Sequence, residues 1–124
     1  MTQDNKDILL KDLCARLPYD VFVNISDIKC VLQPHDISDL IKCDVDIKPY
    51  LFPLSSMTEE QIKEYEDALV YHDYVGGGWT MAKTFDDEYV VPYWFVDFCN
   101  KHHLDYKGLI PKGLAIDCTN LNIY

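Results

Sequence analysis

Cys99, His102 and His103 are the residues whose types and spacing come closest to chemistry in this chain. A C-x-x-H or C-x-x-x-H pair on one helix face can present two metal ligands. A closed zinc site needs four, commonly as two close pairs, and the sequence holds no second close pair. A cysteine, one of these histidines and Asp105 are also the parts of a nucleophilic site. No cysteine, however, stands at a strained turn or a glycine-flanked helix start that would lower its pKa. Four of the five fall inside apolar patterns, where core packing accounts for them. Gly76-Gly77-Gly78 is followed by Trp79-Thr80-Met81, without the helix start and Lys-Ser/Thr of a phosphate loop. Asp86-Asp87-Glu88 and the Asp44/Asp46 pair lack the pattern of a calcium loop and read as solvated turns. The expectation is a binding protein with no catalytic residues, no metal and no cofactor.

The remaining signal is aromatic. Tyr71, Tyr74, Trp79, Tyr89, Tyr93 and Trp94 gather around the glycine run. Tyr and Trp give large contact area at low entropic cost and are enriched in binding hot spots. Burial in helices and short strands is the simpler explanation of them, and the binding reading stands beside it. If a surface is functional, its contact residues are Tyr71, Tyr74, Trp79, Tyr89 and Tyr93, with Asp86, Asp87 and Glu88 as an acidic rim.

The totals narrow the partner. A net charge of −10 opposes direct binding to nucleic acid or an anionic membrane, since both require a basic surface. It permits a basic protein partner, or simply solubility. No apolar run approaches the roughly 18 residues of a membrane span. Thr2 to Asp7 is too polar and acidic for a secretory leader, and five irregularly spaced cysteines fit reduced thiols. A cytoplasmic setting is expected. At 124 residues, one domain (1–124) is expected.

The elements that must position these residues follow from periodicity. Residues 6–17 read as a helix, with Leu9, Leu10, Leu13, Cys14 and Leu17 on one face. Lys6, Lys11, Asp12 and Arg16 take the other, solvent-facing side; Asp4 is the expected N-cap and Pro18 the stop. Residues 21–25 and 28–32 form a hairpin about Ser26-Asp27. Residues 33–36 read as a turn and 37–45 as a strand, although Ile37, Leu40 and Ile41 have helical spacing.

Residues 47–54 carry Pro49 and Pro53, which cannot donate to a ladder, so an edge or terminal strand is expected. Thr58 and Gln61 form a capping box with Met57 and Ile62 as its hydrophobic staple. A helix then runs from Glu59 to about His72, burying Ile62, Tyr65, Leu69 and His72. A loop at 74–79, a short strand at 80–85 and an acidic turn at 86–88 lead to a helix from Pro92 to about Leu104. Its apolar face is Phe95, Phe98, Cys99 and His102. Residues 108–116 supply further apolar cover, and Ile123 and Tyr124 pack down. The fold class is α+β, a small antiparallel meander sheet flanked by about three helices.

Three blocks, residues 10–19, 48–60 and 102–115, carry a resemblance. They include Leu10-Lys11-Asp12-Leu13-Cys14-Ala15-Arg16-Leu17-Pro18-Tyr19, Lys48-Pro49-Tyr50-Leu51, and His102-His103-Leu104-Asp105-Tyr106-Lys107-Gly108. In this order they resemble a family of short uncharacterised proteins of gut Bacteroidetes and their phages and mobile elements. Asp20 stands where some members have a glycine. The resemblance implies a mobile-element setting and carries over no activity and no catalytic residues. The function expected is a non-enzymatic interaction protein that binds a host or element protein. One variant is an inhibitor mimicking nucleic acid. The competing class is a small-molecule binder or small enzyme with a pocket lined by Tyr, His and Cys.

Overall fold

Helix α1, Gln3–Arg16, places Leu9 and Leu13 against the core with no exposure at all. Its N-cap is Thr2, not Asp4: the Thr2 hydroxyl accepts the Asn5 N–H at 3.2 Å. Asp4 sits instead in the first turn, where the helix dipole favours an acid. Pro18 ends the α-helix as expected, and the chain continues through a 3-10 turn, Leu17–Tyr19. The computed structural model describes the backbone of residues 2–75, 79–83 and 88–124 and the side chains of residues 2–68 and 94–124.

Strands β1, Phe22–Ile25, and β2, Ile28–Val31, form the expected hairpin. Ser26 and Asp27 both take positive φ, at 49° and 69°, as a two-residue turn matching the strand twist requires. The next segment departs from expectation. Residues 33–45 are not turn and strand but helix α2, Pro34–Cys43. Pro34 occupies the first helical turn, where its missing N–H costs nothing. The Asp36 carboxylate accepts the Gln33 N–H at 2.8 Å, and Ile37 and Leu40 turn inward. The helical spacing was the sound signal, and the proline marked a helix start.

Strand β3, Ile47–Pro53, is central, not an edge. It runs antiparallel to β1 and parallel to two short strands, β6 (Leu104–Asp105) and β7 (Ile116–Asp117). The five-stranded sheet is therefore mixed, and the fold is α+β with four α-helices among the described residues, not the expected antiparallel meander with about three. Phe52 N–H donates to His103 O at 2.8 Å, and Leu51 O accepts Cys118 N–H at 3.0 Å. Consecutive residues face opposite edges, so both edges of β3 are bonded. Pro49 and Pro53 are even steps from Leu51. Their missing donors fall on the edge that two-residue β7 covers only at Tyr50 and Leu51.

The β1–β3 register would next bring Phe22 opposite Tyr50. The Tyr124 hydroxyl enters there, accepting Phe22 N–H at 2.9 Å and donating to Tyr50 O at 2.8 Å. Its ring stacks on His103, centroids 3.7 Å apart and planes within 10°. Tyr124 is thus tied down by its hydroxyl and ring face while still 44% exposed, and residues 120–122 stay exposed, so the expected packing of the tail holds for its end alone.

Helix α3, Glu59–Val75, begins with the predicted capping box: Thr58 N–H to Gln61 Oε1 at 3.0 Å, and Gln61 N–H to Thr58 Oγ1 at 3.2 Å. Ile62, expected in the buried stripe, is 40% exposed; Tyr65 turns inward. Strands β4, Trp79–Lys83, and β5, Glu88–Pro92, pair antiparallel. β5 replaces part of the expected acidic turn, because Tyr89, Val90 and Val91 continue a strand. Helix α4, Tyr93–Lys101, stops short of Leu104, which joins β6. One core cluster lies beneath α1, α2 and the sheet around Leu9, Leu13, Leu40 and Leu51. A second among the described residues gathers Phe98, Cys99, Leu104 and Tyr106, with Tyr65 and Phe95 against it.

Candidate functional site

A cleft of about 220 Å³ opens between α3 and α4, with Tyr19 also in its lining. Helical spacing builds both walls. Glu64 and Ala68 are one turn apart on α3; Trp94, Asp97, Phe98 and Lys101 follow i, i+3, i+4, i+7 on α4. Phe98 is buried, and Trp94 and Phe95 are half-buried. Tyr65 ties the walls together, its ring 5.5 Å from Trp94, 6.0 Å from Phe95 and 6.0 Å from Phe98.

Glu64 spans the same junction. Its carboxylate meets Lys101 Nζ at 2.9 Å through one oxygen and His102 Nε2 at 2.7 Å through the other. The Lys101 hydrogen bond, against some desolvation and with help from His102, holds the Glu64 pKa below the ordinary carboxylate range. Both Glu64 and Lys101 remain open to solvent, at 42% and 58% exposure. Asp97 is exposed beside them.

The catalytic grouping considered from sequence does not assemble. Cys99 is fully buried, and burial pushes its thiol up to about 12, far from a usable thiolate. His102 is held by Glu64, while His103 stacks on Tyr124. Asp105 accepts two backbone amides, Leu109 N–H at 2.8 Å and Ile110 N–H at 2.9 Å. Among the described residues no group of three or more His, Cys, Asp or Glu is placed to hold a metal ion.

No protein-family model, curated protein or solved structure matches this chain. Among the described residues no helix is long and apolar enough to cross a membrane. Of the surface expected from sequence, Tyr71 and Tyr74 lie on α3, Trp79 on β4, Glu88 and Tyr89 on β5 and Tyr93 at the start of α4. Their side chains, and Asp86 and Asp87 altogether, lie outside the described residues. Trp94, named with them but left off the expected contact list, lines the cleft.

Sequence reading also missed a second polar cluster. Asp12 and Arg16, expected on the solvent face of α1, are both fully buried, with Arg16 Nε 2.8 Å from Asp12 Oδ2. Arg16 Nη2 donates to Leu104 O at 2.7 Å, and its guanidinium lies 5.6 Å from the Tyr106 ring centroid. Lys107 Nζ approaches the other Asp12 oxygen to 3.9 Å, an ion pair beyond hydrogen-bond reach. Burial works against the Arg16 charge, and Asp12 overrides it, leaving Arg16 more basic than usual. Burial also raises Tyr106 and Asp105. The acid-before-base spacing at i,i+4 was the signal available, and it reads the same on a wet or a dry face.

Proposed function

We propose that this chain is a non-enzymatic interaction protein of a phage or mobile element, working in the cytoplasm on a host or element protein. The surface involved runs along α3, the β4–β5 hairpin and α4, with the cleft between α3 and α4 as its anchor point. The observation that carries this reading is the cleft: an aromatic wall of Trp94 and Phe98 beside open carboxylates at Glu64 and Asp97. About 220 Å³ suits one inserted side chain better than a free ligand, since small-molecule sites run to roughly 300–1,000 Å³. The charge of −10 favours a basic partner and speeds its encounter. Mimicry of nucleic acid rests on that charge alone and is the lesser variant.

The second reading, a small-molecule binder or small enzyme, has one observation behind it. Glu64 orients His102 at 2.7 Å, as a carboxylate orients a general base. The buried thiol of Cys99 adds nothing to such a site at neutral pH.

Photo-crosslinking from position 68, with position 41 on α2 as control, separates the two. A single protein species captured at position 68 and lost with Trp94→Ala or with Trp79→Ala/Tyr74→Ala supports the interaction reading. No protein adduct from position 68, with ligand-induced stabilisation by a metabolite set instead, overturns it.

A further inference from the structure

We propose that the α3–α4 cleft is a receptor for an arginine side chain of the partner, and that Lys101 is its internal competitor. This rests on the interaction reading above and specifies its chemistry. Glu64 and Asp97 supply carboxylates at the cleft, and Trp94 and Phe98 supply aromatic surface. That combination suits a guanidinium, which is planar, weakly hydrated, able to stack on an indole and matched to a carboxylate by its fork of donors.

At present a cation of the chain itself stands there. Lys101 gives Glu64 a single 2.9 Å contact, from a side chain 58% exposed. An exposed lysine–carboxylate pair contributes little and is readily exchanged. His102, 20% exposed and 2.7 Å from the other oxygen, holds Glu64 in place while Lys101 swings away. An incoming arginine therefore finds the Glu64 carboxylate already oriented, with one oxygen available once Lys101 leaves. Asp97, exposed on the same wall, takes the remaining donors.

The test uses the full chain labelled with ¹⁵N and a five-residue peptide, Gly-Gly-Arg-Gly-Gly, capped at both ends. The matched control replaces arginine by citrulline, which keeps the shape and loses the charge. Saturable shifts at the Trp94 indole N–H and the Asp97 and Lys101 amides are expected with arginine and absent with citrulline. Lys101→Ala is expected to tighten binding about two- to fivefold, the fold-change that matches loss of one exposed ion pair. Lys112→Ala, an exposed site that alters net charge equally, is expected to leave affinity within error. Glu64→Gln and Asp97→Asn are expected to weaken it at least about threefold each.

Equal shifts with citrulline, no saturable shift at Trp94, or Lys101→Ala no tighter than Lys112→Ala would overturn the proposal. A protein crosslinked at position 68 under the same failure leaves an interaction protein with a different anchor. Failure of both removes both readings.

Discussion

Asp12 and Glu64 are each a carboxylate shared by two basic side chains, and their surroundings make them opposite devices. Asp12 meets Arg16 at 2.8 Å and Lys107 at 3.9 Å, with neither Asp12 nor Arg16 exposed. Glu64 meets Lys101 at 2.9 Å and His102 at 2.7 Å in partial solvent. Ions sealed from water lose hydration that only excellent geometry restores, so removing one member leaves its partner stranded. Ions at the surface lose little and gain little. The buried group thus fixes α1 against β6, through the Arg16 bond to Leu104 O across 88 positions. The open group is expected to change partners at little cost to the fold.

The largest expected effect tests the sealed side. Arg16→Leu strands the Asp12 carboxylate and is expected to cost about 3–5 kcal/mol in urea unfolding. Asp12→Leu/Arg16→Leu together should recover a substantial part of that loss. A single-variant cost below about 1 kcal/mol would show that the pair is hydrated and that the contrast with Glu64 is false.

Acid sharpens the same boundary at His103. Burial, then Arg16 and His102, push its pKa down to about 4 from the ordinary histidine value, while Asp20 pulls weakly the other way. The folded protein therefore holds fewer protons than the unfolded chain between about pH 6.5 and 4. Stability from this residue is full above the upper limit, falls through the window as pH drops and levels out beneath it. By pH 4.5 the fall is expected to reach roughly 2–3 kcal/mol. His103→Gln should flatten that slope when unfolding free energies are compared at pH 7.5 and 4.5. An unchanged slope would place the imidazole in water.

Tyr124→Phe probes the sheet beside it. Losing the hydroxyl leaves Phe22 N–H and Tyr50 O without the bridge between them. About 1–2 kcal/mol should be lost, with faster hydrogen exchange at the Phe22 amide. Exchange unchanged at Phe22 would mean that the strands close up without the tyrosine.

Local patterns carried the parts of the fold that local physics decides. The Thr58/Gln61 box, the Ser26-Asp27 hairpin and the core side of α1 at Leu9 and Leu13 were legible because neighbours in sequence settle them. Pro34 and Pro49 were not, because a proline marks a missing donor without saying whether that donor would begin a helix or face a half-covered strand edge. Arg16 was misread because the element that buries it, residues 104–107, lies 88 or more positions away. The cleft was half legible: the aromatics near α4 were noted, but Glu64 enters only when α3 packs on α4.

The smallest expected effect decides whether the open cluster can serve as a receptor. Glu64 is held below the usual carboxylate range chiefly by Lys101, so its contribution is complete above that range and lost as acid protonates it. At 42% exposure that contribution is screened, and Glu64→Gln should cost under about 1 kcal/mol at neutral pH, less in high salt. Lys101→Ala should cost no more. A loss of several kcal/mol in either variant would make the α3–α4 clamp a structural element like the Asp12–Arg16 pair. Lys101 could not then yield to an incoming arginine, because exchange at the cleft would require opening the helix junction itself.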